Sequence, residues 1–292
     1  MGRQSSEYDI IYNSKESIMG KKNKKNSSSI ILIVIFLIGL SLLLYPSFSE
    51  FWNSKHQSRA IADYTAQVSE IDDNSYELML REAMEYNKKL ENGPGRWMPS
   101  EEEIEEYNSL LNVGGTGIMG YVEIPDLGIL LPIYHGVDEA VLQVAIGHIQ
   151  GSSLPVGGPG THCAISGHRG LPSAKLFTNI DELKEGDYFL LCVLDEVLTY
   201  EIDQIRIVEP DDLSELEIKE NEDLCTLITC TPYGVNSHRL LVRGHRVETM
   251  PENYIRVSAD AMQIDETIVA SLVSVPILLL LLIWLLIRYR KR

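Results

Sequence analysis

Residues 226–244 read TLITCTPYGVNSHRLLVRG, and the fold turns on how this stretch is interpreted. The runs on either side of CTPYGVNSHR are apolar and β-branched, the composition of strands, and Pro232, Gly234 and Asn236 mark the connection between them. A strand, a loop and a second strand put Cys230 at one mouth of the loop and bring Arg239 back close to it.

Working outward, the same texture begins near Gly114. Short β-rich segments separated by Gly, Pro and Asp give candidate strands at 118–124, 130–134, 161–166, 188–194, 197–208, 225–229 and 239–247. Many short strands with turn signals between them point to a sandwich or a barrel. PSAKLFTNIDELKEGD, residues 172–187, reads as the one helix inside this β region. Upstream, residues 51–90 are poor in Gly and Pro and rich in Ala, Glu, Leu, Met and Lys, with a break at DDNS, so two helices lead into the β region. Gly93, Pro94 and Gly95 make a loop, and Ser100 followed by Glu103 is a capping-box signature for a short helix.

The ends of the chain belong to a membrane. Residues 30–45 form an uncharged apolar core preceded by Lys21, Lys22, Lys24 and Lys25, with no small-residue cleavage site after it, the pattern of an uncleaved anchor. A second apolar run, 268–287, is long enough to span a bilayer and is followed by RYRKR. Both cationic flanks lie outside the segment between the spans, so the positive-inside rule places both termini in the cytoplasm and residues 48–267 beyond the cell membrane. That external part carries 15 basic against 39 acidic residues, which argues against nucleic acid and anionic lipid headgroups as partners. It suits a cationic partner or a merely well-solvated face.

Four cysteines in an exported domain could form two disulfides. Cys225 and Cys230 cannot pair within one extended strand, because an odd offset points them to opposite faces. Cys163 and Cys192 sit in apolar runs and read as small buried hydrophobes. A nucleophilic cysteine needs a partner for its proton and a donor for the oxyanion formed at the attacked carbonyl. Among seven histidines, His168 stands out, because AISGHRG repeats the pattern of an apolar run that ends in a Gly-flanked polar residue at a turn. Only a fold that joins the two strand ends could pair His168 with Cys230, which lies 62 residues further on.

TLITCTPYGVNSHRLLVRG resembles the signature of the sortases, membrane-anchored cysteine transpeptidases of Gram-positive bacteria, and ISGHRGLPSAKLFTNIDELKEGD resembles their histidine segment. GYVEIPDLGILLPIYHG and GHIQGSSLPVGGPGTH are similar to their early strands, so the likeness runs from about Gly114 to Val247. The form of the cysteine motif, the helical extension and the C-terminal apolar run are similar to the pilin-polymerising class C. The resemblance implies a mainly β fold, a closed eight-stranded barrel with an N-terminal helical extension and two flanking transmembrane helices. It implies Cys230 as nucleophile, His168 as general acid/base and Arg239 as oxyanion and substrate-positioning group, with no cofactor and no metal. The substrate implied is an LPXTG-like sorting signal on a pilin subunit, cut between Thr and Gly, the thioester then being resolved by a lysine amine of another pilin. A thioester that waits for an amine in a groove that excludes water fits this residue set, and arginine stays charged at any working pH.

One departure concerns the lid that pilin-class sortases carry over the site, usually with an Asp-Pro-aromatic motif. That tripeptide does not occur before the β region; GPGRWMPSEEE is the available segment, with Trp97 either the plug or an ordinary packed tryptophan. Tyr233 and Asn236 are expected to shape the substrate groove. His135, His148 and His162 read as structural or surface residues, and His238 and His245 as lying outside the cleft. The expected organisation is a cytoplasmic tail (1–29), signal anchor (30–47), helical extension and possible lid (48–111), catalytic barrel (112–250), linker (251–267), second transmembrane helix (268–287) and basic cytoplasmic tail (288–292). Two other functions compete with pilin polymerisation: anchoring of surface proteins to a peptidoglycan precursor, and a non-catalytic pilus-assembly role.

Overall fold

The computed structural model describes residues 5–92, 95–249, 274–284 and 288. Its centre is a closed barrel whose strands run in the order β1 (Ile118–Ile124), β2 (Ile129–His135), β3 (Ile146–His148), β4 (Thr161–Ser166), β7 (Asp223–Thr231), β8 (His238–Val247), β6 (Glu196–Val208) and β5 (Tyr188–Val193), which closes on β1. Two neighbouring pairs, β2 with β3 and β4 with β7, are parallel. The other pairs are antiparallel. Closure removes the exposed edges that an open sheet of this size would present.

Alternation sorts the side chains. Cys163 and Ile165 of β4, Cys225 and Leu227 of β7, and Leu240 and Val242 of β8 project into the main core. Ala164, Ile228 and Leu241, one residue out of phase on the same strands, form a second apolar cluster on the outer face. Cys230 and Arg239 are in phase with this outer set, two residues beyond Ile228 and two before Leu241 respectively.

Three helices precede the barrel: α1 (Ser5–Ser69), α2 (Asp73–Asn92) and α3 (Glu101–Ser109). Ser100 and Glu103 form the expected capping box at the start of α3. Each helix is fastened to the barrel by a buried polar group. Tyr64 Oη donates to the Met119 carbonyl at 3.1 Å and accepts from the Leu194 N–H at 2.7 Å. The Asn87 amide makes a two-way bridge with the Leu154 backbone. Tyr107 Oη accepts from the Gly136 N–H and contacts His148. Burial pushes the Tyr64 and Tyr107 hydroxyls well above the usual phenol range, so both are donors at any working pH.

Two sequence expectations change. Residues 172–187 hold only a single 3₁₀ turn, Ile180–Glu182, not a helix. Leu176 takes a φ of 40°, which a helix does not accommodate, and the apolar residues Ala174, Leu176, Phe177, Ile180 and Leu183 are all buried as the segment wraps the barrel end. Strand β3, absent from the sequence reading, is three residues long and so too short to display alternation.

Among the described residues one helical segment, Ile30–Ser69 within α1, is long and apolar enough to cross a membrane. It continues through Pro46. Of the second expected span, 268–287, the described part is the apolar helix Ser274–Trp284, which by itself is shorter than the roughly 20 residues a bilayer core requires. The rest of that run, and the linker 251–267, lie outside the described residues.

Candidate active site

Strands β7 and β8 pair so that Cys230 and Arg239 are directly opposite partners. Their side chains leave the same outer face from Cβ atoms about 5 Å apart. Parallel pairing of β4 with β7 brings Ser166 beside Ile228, and the chain leaving β4 is then tied to the end of β7. The Gly167 N–H donates to the Ile228 carbonyl at 3.0 Å, and Thr229 Oγ1 donates back to the Gly167 carbonyl at 2.8 Å. His168, the next residue, is thereby delivered to the strand end that carries Cys230. Gly167 is required there: a Cβ would meet the Phe177 ring at 2.7 Å and Ile146 at 2.8 Å.

Cys230 is a free thiol and half-buried, whereas Cys163, Cys192 and Cys225 are buried. The Arg239 guanidinium donates to the carbonyls of His238 (3.2 Å) and Asn236 (3.4 Å), and among the described residues no carboxylate lies within ion-pair reach of it. Its charge is therefore left for an incoming group. His168 Nε2 is shielded from solvent, has no hydrogen-bond partner, and lies 3.9 Å from Glu139 Oε2.

The loop residues have distinct places. Tyr233 is exposed and its ring packs against Gly170, where a Cβ would approach to 2.9 Å. The Arg169 guanidinium lies 5.9 Å from the Tyr233 ring centre, contacts Thr231 Oγ1 at 3.5 Å and forms an ion pair with Asp181. Arg169 thus ties the histidine loop to the cysteine loop. Asn236 takes a left-handed φ of 59° and donates its N–H to the Pro232 carbonyl, so its part is to form the turn and offer its carbonyl to Arg239.

Trp97 packs on the outer cluster of Ala164, Leu216, Ile228 and Leu241, under the Arg96 guanidinium 4.6 Å from its ring centre. Arg96 in turn donates to the Leu216 carbonyl at 2.8 Å. The ring also lies against Gly151, where a Cβ would meet it at 2.8 Å, so the tryptophan is a packed residue on the outer face of the barrel beside residues 213–218.

The remaining polar residues are structural. His162 is buried, and its pKa falls to about 4 chiefly because burial disfavours the imidazolium. Neutral, it donates from Nδ1 to the Glu217 carbonyl at 3.0 Å and accepts from Thr226 Oγ1 at Nε2, 2.7 Å away. His148 and His135 are held in the network around Tyr107. His238 sits on the opposite phase from Arg239, beside Glu209 at 3.3 Å. Cys163 and Cys225 are register partners on neighbouring strands, both buried and both free thiols. Sequence reasoning missed Arg169, Glu139 and Thr229; only Arg169 carried a signal, its place beside the candidate histidine.

A closed eight-stranded barrel sets a cysteine opposite an arginine and brings a histidine to the same strand end, the residue types that thiol-based acyl transfer requires. Residues 122–247 match the Sortase domain, and the chain belongs to the sortase family, whose members are cysteine transpeptidases. Structures named sortase C are among its solved relatives. Sortase C1 from Streptococcus agalactiae is 52% identical with a TM-score of 0.64, covering 66% of this chain and 100% of that one. Clostridium perfringens sortase C, solved with the C-terminal cell wall sorting motif, is 40% identical with a TM-score of 0.59 over 66% of this chain and 100% of that one. Sortase D of Bacillus subtilis is 32% identical over 131 residues, 44% of this chain; the match spans 63% of that relative's length.

Proposed function

We propose that this chain is a pilin-polymerising transpeptidase held at the cell membrane. Cys230 attacks the Thr–Gly carbonyl of an LPXTG-like sorting signal, Arg239 stabilises the oxyanion, and His168 gives its proton to the departing glycine amine. The resulting thioester is resolved by a lysine amine of a second pilin, which leaves an isopeptide bond. The observation that carries this reading is the pairing of Cys230 with Arg239 at the strand end to which Gly167 and Thr229 fasten His168.

The preference for polymerisation over cell-wall anchoring is supported by the higher identity to class C structures than to Sortase D. The structure of Clostridium perfringens sortase C with the C-terminal cell wall sorting motif supports a peptide of that kind as the acyl donor. Tyr233 and the turn at Asn236 line one side of the peptide groove. The apolar segment from Ile30 and the cationic residues before it support a signal anchor, and RYRKR after the second apolar run supports a two-pass arrangement with both termini cytoplasmic.

The test is acceptor choice. The full chain in detergent is given an LPXTG-type peptide with a pilin domain, or with a glycine-type amine, and the products are identified by mass spectrometry. A lysine-linked product with the pilin supports polymerisation. Transfer to the glycine amine alone assigns the protein to cell-wall anchoring.

A further inference from the structure

Glu139 opens the short helix α4 (Glu139–Leu142), which stands between β2 and β3. Its Oε1 accepts from Gln143 Nε2 one turn later, and the side chain remains 74% exposed. The other oxygen faces His168 Nε2 across 3.9 Å. That gap is too long for a hydrogen bond. A carboxylate whose task was to orient the imidazole would be buried and in direct contact with it, at about 2.8 Å. Glu139 is neither.

Resting on the acyl-transfer reading above, we propose that Glu139 and His168 together form the receiving site for the acceptor amine, which enters as a lysine ammonium ion. An ammonium nitrogen making bonds of about 2.8 Å to both atoms would see them at roughly a right angle, a geometry a tetrahedral donor can meet. Among the described residues Glu139 pairs with no lysine or arginine and its one basic neighbour is His168 itself, so once acylation has left the imidazole neutral the position for a cation beside the carboxylate is left to a ligand. His168 Nε2 is likewise without a hydrogen-bond partner. An exposed side chain changes rotamer within nanoseconds, so Glu139 can admit the amine to the shielded nitrogen and close behind it. The acidic excess of the external part, 39 acidic against 15 basic residues, draws cations towards the surface.

Acylation leaves His168 neutral, because its proton has gone to the departing glycine amine. The bound ammonium gives one proton to the imidazole, and the free amine attacks the thioester carbonyl. A C–N bond forms, the C–S bond breaks, Cys230 leaves as thiolate beside the imidazolium, and the second proton of the amine passes to solvent.

The experiment uses the full chain in detergent with an LPXTG-type peptide as acyl donor, comparing wild type, Glu139→Gln and Glu139→Lys. Two acceptors are used: a lysine peptide, which is cationic, and hydroxylamine, which is neutral near neutral pH. Rapid-quench intact mass reads thioester formation, and chromatography reads the partition between aminolysis and hydrolysis. Glu139→Gln is expected to raise the half-saturating lysine concentration about three- to fivefold, the loss of one charge-assisted contact at an exposed site, and Glu139→Lys to raise it further. Thioester formation should change by less than about twofold in Glu139→Gln, and hydroxylamine partition should not follow the charge. An equal slowing of thioester formation would show that Glu139 acts on the imidazole and overturn the proposal. So would an unchanged lysine dependence, or a hydroxylamine response equal to that of lysine. Absence of a thioester in wild type would instead sink the acyl-transfer reading, before any variant is compared.

Discussion

Replacing Arg169 by Met keeps most of the side-chain volume and removes the clamp between the loop that carries His168 and the loop that follows Cys230. The side chain is 10% exposed and Asp181 is 41% exposed, so the carboxylate regains water when its partner is lost. The stability cost is therefore about 1 kcal/mol, below the 1.5–3 kcal/mol of a fully buried charge-assisted bond. The catalytic cost is larger. Arg169 adjoins His168 and reaches Thr231, the residue after Cys230, so its loss lets the two loops drift relative to each other. A displacement of about 1 Å at a reacting pair costs on the order of 10²-fold in rate. Thioester formation measured by rapid quench should fall about 30- to 100-fold while the urea midpoint moves little. Arg169→Lys should recover only part of the rate, because an ammonium lacks the planar fork that reaches Asp181 and Thr231 together. A rate within threefold of wild type in the Met variant, or a rate loss matched by equivalent unfolding, would refute the clamp.

Three further outcomes follow from buried polar groups and one glycine. Since His148 Nε2 donates to the Ser153 carbonyl at 2.8 Å, its Nδ1 is an acceptor for Tyr107 Oη, and Tyr107→Phe strands both this nitrogen and the Gly136 N–H. The expected loss is about 2 kcal/mol, read as a lower denaturant midpoint at unchanged slope. His162 is held neutral with a pKa of about 4, below the ordinary 6.5, so the unfolded chain binds the proton more readily. Stability is then full above about pH 6.5, falls as pH drops towards 4 and levels off below it, a total on the order of 3 kcal/mol. Thermal melts of wild type and His162→Gln across that range check the slope, which should flatten in the variant. Gly170→Ala places a Cβ 2.9 Å from the Tyr233 ring at a φ of 77°, so it should slow thioester formation more than it lowers the melting temperature.

Much of this was legible in the primary structure because strand and loop chemistry there is local. The β-branched runs around CTPYGVN fix β7 and β8, and the turn residues between them force Cys230 opposite Arg239. The histidine could be singled out but not placed, since its approach depends on the parallel pairing of β4 with β7, a contact between segments 62 positions apart. The false helix at 172–187 arose from apolar spacing that suits either a helix or a loop wrapped on a core; the left-handed Leu176 decides between them and leaves no mark in composition. Glu139 was invisible for a related reason. It lies in a four-residue helix whose closeness to His168 is set wholly by the barrel's closure.

The central claim is that Cys230 is the acyl carrier. Intact mass of the full chain after brief exposure to an LPXTG-type peptide tests it most directly, with Cys230→Ala alongside. A hydroxylamine-labile adduct of the acylated peptide fragment on wild type, absent from the variant, is the expected result. An adduct that persists in Cys230→Ala, or that maps to Cys163, Cys192 or Cys225, would contradict it.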